Sequence, residues 1–190
     1  MKIKKIVLFP IFLSSLSNAQ IWKKTKLFNN LSIWALPNQV QAAHHEAGHL
    51  VIAKILDVQA NNIYLKPNNN GGAVNFITNK SNKKIFIFLA GYLTEKILYD
   101  KVNTGCHEDI NKAVKNIIEE HHLNENNIEE IKKVLQNYID QTEQLILQNL
   151  DLIKFFAAML LKQPADKDGL KIIYKDQINQ IFRQLTQTAQ

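Results

Sequence analysis

The sequence predicts a mainly α fold with a small β-hairpin. Three observations carry that expectation. Apolar residues recur at three- and four-residue spacing through most segments after residue 38. The run Ile85-Phe86-Ile87-Phe88-Leu89-Ala90-Gly91 is apolar all round, as expected of a helix buried at the centre of a domain. Only two short runs, 62–66 and 73–78, read as strands, and Pro67 with Asn68-Asn69-Asn70-Gly71-Gly72 supplies turn chemistry between them.

The first helix is expected over 39–56, where Val40, Ala43, Ala47, Leu50, Val51 and Ile55 repeat near helical spacing, with Asn38 after Pro37 as its cap. Gly48 inside it costs about 1 kcal/mol against alanine, which implies that something approaches closely there. Ser81 is the expected cap of a second helix reaching about Tyr99, with a strand over 85–89 as the alternative. After a loop at 100–105, Ile110, Ala113, Val114, Ile117 and Ile118 trace an amphipathic helix, and His121 and His122 suit its C-terminus as surface residues. Asn126 or Asn127 caps a long helical region striped by Ile128, Ile131, Val134, Leu135, Tyr138, Ile139, Thr142, Leu145 and Ile146. A break at 149–151 precedes an apolar helix over 152–161. A turn at 164–169 then leads to a short helix marked by Ile178, Ile181, Phe182 and Leu185.

With 190 residues and 46% hydrophobic content, the chain is sized for one domain with a substantial core. Its net charge of +6 is concentrated at the N-terminus, on Lys2, Lys4, Lys5, Lys23, Lys24 and Lys26. No acid precedes Glu46, and from residue 27 onward 17 basic residues balance 17 acidic ones. A nucleic-acid binder places its basic excess on the folded domain, so nucleic acid is not an expected partner. The lone Cys106 excludes an intramolecular disulfide framework and reads as a small, partly buried residue.

Residues 1–19 read as a signal peptide. Lys2, Lys4 and Lys5 form a positive region, 6–16 an apolar one, and Ser17-Asn18-Ala19 a small-residue cleavage site, so that Gln20 begins a periplasmic or secreted chain. Eleven apolar residues fall short of the roughly 20 that a spanning helix needs. The alternative is an uncleaved N-terminus that anchors the chain to a membrane. Residues 20–37, with Trp22 and Trp34, read as a linker or pro-segment before a domain over 38–190.

The most informative stretch is His45-Glu46-Ala47-Gly48-His49. On a helix, residues four apart share a face, so His45 and His49 can hold one metal ion with Glu46 beside it. Two imidazoles suit zinc, whose catalytic sites keep a position open for water. A carboxylate at Glu46 can then accept the proton of that water, which is the chemistry of peptide-bond hydrolysis. A third ligand is needed, and Thr104-Gly105-Cys106-His107-Glu108-Asp109 is its expected source. By residue type Cys106, His107, Glu108 and Asp109 all qualify. On a helical wheel His107 falls in the stripe of Val114 and Ile118, while Asp109 lies just past its edge near Ala113, so periodicity leaves both open.

The chain resembles the peptidase domain of the FtsH-type ATP-dependent zinc metalloproteases. His45-Glu46-Ala47-Gly48-His49 followed by an apolar helix looks like that family's first motif. Ala90-Gly91-Tyr92-Leu93-Thr94-Glu95 is similar to its Gly-Arg-Ala-Ala-Glu segment, with Tyr92 in place of Arg. Thr104-Gly105-Cys106-His107-Glu108-Asp109-Ile110-Asn111-Lys112-Ala113 is similar to its Thr-Gly-Ala-x-x-Asp-Leu-x-x-Ala segment. The resemblance runs from about Val40 to Leu185. It implies Asp109 as the third zinc ligand, and a helical fold with a small β element beside the metal cleft. No G-x-x-x-x-G-K-[ST] phosphate loop occurs in these 190 residues, so no ATP partner is expected.

The resulting expectation is a zinc endopeptidase acting on unfolded or flexible polypeptide without its own ATPase. His45, His49 and Asp109 bind Zn2+, Glu46 is the catalytic base, and Gly72, Ala73, Val74 and Asn75 bind substrate as a strand, with Gly71 and Gly72 leaving room for its backbone. The alternative is a non-catalytic zinc-binding interaction module derived from a peptidase fold. Association with a membrane surface and homo-oligomerisation stay open.

Overall fold

A computed structural model describes residues 37–67, 71–100 and 106–187. The expected signal peptide, the linker up to residue 36, Trp22, Trp34, Thr104 and Gly105 lie outside them, while Pro37 begins the first helix. In chain order the elements are α1 (Pro37–Ile55), β1 (Gln59–Leu65), β2 (Gly72–Ile77), α2 (Ser81–Tyr99), α3 (Cys106–His121), α4 (Ile128–Gln148), α5 (Leu150–Lys162), β3 (Lys171–Tyr174) and α6 (Lys175–Gln187). The fold is mainly α, with a small antiparallel sheet of order β2-β1-β3.

The core forms where α1 and α2 cross. Ala43, Ala47, Leu50, Val51 and Ile52 of α1 meet Ile85, Ile87, Leu89, Ala90 and Leu93 of α2, all fully or almost fully buried. The crossing explains Gly48. A β-carbon there would collide with the Thr94 hydroxyl and stand 3.0 Å from the Ala90 carbonyl oxygen. The helix-breaking cost of glycine is accepted so that two backbones can approach. α2 has nine buried residues on several sides, which fits its all-round apolar sequence and excludes the strand alternative for 85–89. α5 packs its buried Ile153, Phe156, Ala157 and Leu160 into the same core, and the Phe156 ring stacks on Phe182 of α6 at 5.1 Å.

Three expectations need correction. The expected hairpin is present as β1 and β2, but a third strand that was not expected extends it to a three-stranded sheet. β3 pairs antiparallel with β1 from Asn62↔Tyr174 to Leu65↔Lys171, so β1 is central and β2 is an edge. Four residues with Ile173 as the only buried one give too short a pattern to be read as a strand. Ser81 is the first residue of α2 and not its cap; Lys80 holds the cap position without a side-chain hydrogen bond. The buried seam of α3 runs through Cys106, Ala113, Asn116 and Ile117 and not through Val114 and Ile118, which leaves His107 exposed and turns Asp109 inward. Elsewhere Asn127 does cap α4, its side chain accepting from the Glu130 N–H at 3.4 Å. The chain bends by 72° between α4 and α5, at the expected break. No single described helix is long and apolar enough to cross a membrane.

Candidate metal centre

α1 places His45, Glu46 and His49 in the buried interior, each 6–7% exposed. α3 brings Asp109 to them. His45 Nε2 lies 3.0 Å and His49 Nε2 3.1 Å from Asp109 Oδ2, and the two Nε2 atoms are 2.9 Å apart. Three donor atoms from two helices thus converge on one point.

The far sides of both rings are held. The His49 Nδ1–H donates to the Ile87 carbonyl oxygen at 2.6 Å. His45 Nδ1 lies 2.7 Å from Glu95 Oε1, and the second oxygen of Glu95 accepts from the Gln41 amide at 2.6 Å. A proton kept on each Nδ1 leaves each Nε2 lone pair aimed at the shared point, which is the arrangement a metal-binding histidine needs. Donors bound to zinc at about 2.0–2.1 Å in a tetrahedron stand roughly 3.3 Å apart, so the observed separations fit one small cation with little movement. The donor set of two nitrogens and one carboxylate oxygen also suits zinc.

Gly91 of α2 makes room for these rings. A β-carbon there would lie 2.5 Å from the Nε2 of both histidines. Gly72 of β2 lies against Glu46, where a β-carbon would meet the Tyr64 carbonyl oxygen and stand 2.7 Å from Glu46 Cγ. The lack of a side chain at Gly72 therefore makes room for the protein's own Tyr64 and Glu46 groups. Gly71 has φ of 77°, and among the described residues nothing lies within 4 Å of where its β-carbon would stand.

The electrostatics follow from this crowding. Burial raises the Glu46 carboxyl above its usual range; His49 and His45 oppose the shift, and Asp109 and Glu95 reinforce it. At His45 burial works to lower the pKa, but hydrogen bonding to Asp109, Cys106 and Glu95 outweighs it and raises the ring well above the ordinary histidine value. At Asp109 burial pushes upward, yet the two histidines hold the carboxyl far below the carboxylate range.

The structure brings His45, Glu46, His49 and Asp109 together, with Gly72 beside Glu46. It does not bring His107, which points away from the cluster face of α3 and is exposed. Glu108 is also exposed and pairs with Lys112 at 2.7 Å. Sequence reasoning gave no role to Glu95 or Gln41. The signal for Glu95 was present: a single acid in an apolar, buried stretch of helix needs a partner.

No family model matches the chain. It is similar to the ATP-dependent zinc metalloprotease FtsH 2 of Thermoanaerobacter sp. (strain X514), at 25% identity over 72% of this chain and 32% of that protein. It is also similar to the ATP-dependent zinc metalloprotease FtsH 3 of Phytoplasma mali (strain AT), at 27% identity over 64% of this chain and 25% of that protein. A third relative, the ATP-dependent zinc metalloprotease FtsH of Aster yellows witches'-broom phytoplasma (strain AYWB), is 27% identical over 74% of this chain and 25% of its own length. The chain spans a quarter to a third of the length of these curated relatives. These similarities support an FtsH-like family relationship, and with it a relationship to zinc metalloproteases.

Proposed function

We propose that the chain is a zinc-dependent endopeptidase cleaving unfolded or flexible polypeptides. The observation that carries this reading is the convergence of His45 Nε2, His49 Nε2 and Asp109 Oδ2 on one point, with the buried Glu46 close enough to interact electrostatically with all three residues. His45, His49 and Asp109 would hold the ion. Zinc bound there supplies Lewis acidity, which lowers the pKa of water and polarises a carbonyl. Glu46, raised by burial, accepts a proton from water at its carboxylate and delivers it to the departing amine. Glu95 and Gln41 keep the His45 ring turned toward the ion.

Strand β2 is an edge strand that starts at Gly72, against Glu46, so an extended substrate can add along Gly72, Ala73, Val74 and Asn75 through main-chain hydrogen bonds. Only extended chain fits such an edge, which favours unfolded substrate. No nucleotide is required of these residues, since they contain no phosphate loop. Export with a mature chain beginning at Gln20 is part of the same proposal and rests on residues 1–19 alone.

The test compares wild type with Glu46→Gln on an unfolded test protein without ATP, with zinc content measured on both. Zinc in both forms and cleavage only by wild type is the expected result. Zinc in both with cleavage by neither leaves the non-catalytic interaction module as the reading. Equal cleavage by both, after removal of contaminating proteases, would place the activity elsewhere.

A further inference from the structure

A second group of metal-binding atoms lies on the other side of His45. Its Nδ1, Glu95 Oε1 and Cys106 Sγ fall within 4.8 Å of one another, and all three residues are buried. Nδ1 is 2.7 Å from Oε1 and 3.8 Å from Sγ. We propose that these three atoms form a second cation site, for a thiophilic divalent metal, that shares the His45 imidazole with the first.

The placement follows from α3. Cys106 and Asp109 are three residues apart and so lie on one helix face. Asp109 reaches the Nε2 side of His45, and Cys106 the Nδ1 side. One helix therefore offers a donor to each ring nitrogen. Glu95 is preset as well, because the Gln41 amide fixes its other oxygen at 2.6 Å. A thiol adds little as a hydrogen-bonding group at this range, but sulfur, imidazole nitrogen and carboxylate oxygen together match borderline and soft divalent ions. Bonds of about 2.3 Å to sulfur and 2.0–2.2 Å to nitrogen and oxygen set donors roughly 3.3–3.6 Å apart. The Nδ1 to Sγ separation is already near that range, and the Nδ1 to Oε1 pair opens as its shared proton leaves.

The step balances in protons. The thiol gives up one and His45 Nδ1 a second; both go to solvent as metal–sulfur and metal–nitrogen bonds form, and the carboxylate completes the set. The ion replaces the hydrogen bond by which Glu95 orients His45. Excess metal thereby acquires a route to disturb the first site. The second site stands on this geometry alone and does not depend on peptide hydrolysis.

The test is titration of the metal-free full-length protein with Cd2+, following bound metal by dialysis and thiolate-to-cadmium absorption in the ultraviolet. Cys106 is the only cysteine, so that absorption has a single source. Wild type is expected to bind two ions, with absorption rising at the second. Cys106→Ser should bind one without absorption, and Glu95→Gln should weaken the second ion by about tenfold or more. His49→Ala, which removes a donor from the first site only, should keep the absorption. Circular dichroism checks the fold of each variant, and the wild-type titration decides the matter even if a variant fails to fold. A single ion without thiolate absorption in wild type overturns the proposal, as does absorption equally strong in Glu95→Gln.

Discussion

Gly91 lies in direct contact with His45: a β-carbon on it would stand 2.5 Å from the imidazole Nε2. The same β-carbon would be 2.5 Å from Nε2 of His49. The absence of one side chain on α2 is thus what lets two rings on α1 turn their lone pairs to a common point. Neither ring can step aside, since Glu95 holds His45 and the Ile87 carbonyl holds His49.

Gly91→Ala should therefore disturb the metal centre before it disturbs the fold. Overpacking of this kind costs about 1–3 kcal/mol. If that cost falls on the ring positions, zinc affinity drops by roughly 10- to 100-fold, at 1.4 kcal/mol for each factor of ten. Competition with a chelator of known affinity reads it out, with circular dichroism as the control. Unchanged zinc affinity in a folded variant would mean that the rings do have room to move.

Gly72→Val probes the contact between β2 and Glu46. Its β-carbon would meet the Tyr64 carbonyl oxygen and Glu46 Cγ, neither of which is one of the three converging donor atoms. Zinc content should hold, while turnover on an unfolded protein falls about 10- to 100-fold because a displaced base no longer reaches its proton. A variant as active as wild type would separate Gly72 from the chemistry.

The helices were legible in the sequence because each buries a face with a clear period, and α2 because it buries nearly every face. The His45 to His49 spacing was legible for the same reason: one turn of helix fixes it. Strand β3 was not, because its four residues bury only Ile173 and pass directly into α6. The inward turn of Asp109 was not legible from periodicity either. The seam of α3 includes Cys106 and Asn116, a thiol and an amide that a search for apolar groups passes over, while Val114 and Ile118 of the expected stripe are only partly buried. The resemblance pointed to Asp109 where the wheel left it level with His107. The contacts of Glu95, Gly91 and Cys106 with His45 join residues at least 46 positions apart and arise only when the helices cross.

Tyr99 supplies a pH test on a residue that donates nothing to the metal centre. Burial, reinforced by Glu95, pushes its phenol from the ordinary 10.0 up to about 12. Its hydroxyl lies 2.7 Å from His44 Nδ1. A folded-state pKa above the unfolded one gives a contribution to stability that is complete below pH 10 and lost as pH rises toward 12. In an alkaline titration of folded protein, tyrosinate absorbance should include a late component that Tyr99→Phe removes. Tyr138 is also raised, by burial and Glu120, so the difference between wild type and variant is the quantity to read. If Tyr99→Phe instead removes a component near the ordinary 10.0, Tyr99 is more open to water than its surroundings suggest.

The choice between Asp109 and His107 is open to a direct comparison. Asp109 Oδ2 is 3.0 and 3.1 Å from the two histidine nitrogens, while His107 is exposed on another face of α3. Asp109→Asn keeps the shape of the side chain but loses the charge that balances a divalent ion, and it leaves an amide where an anionic donor stood. Zinc affinity should fall by at least about 100-fold, since a lost ligand costs more than the 10- to 100-fold typical of a lost outer partner. His107→Ala removes an exposed side chain with no contact to the cluster, and should change affinity by less than about twofold, as surface substitutions generally cost under 0.5 kcal/mol. Both variants are measured by chelator competition on protein whose fold is intact. If His107→Ala strips the metal and Asp109→Asn keeps it, α3 must turn by about two residues, roughly 200° (or 160° the other way) on a helix of 3.6 residues per turn, when the ion binds.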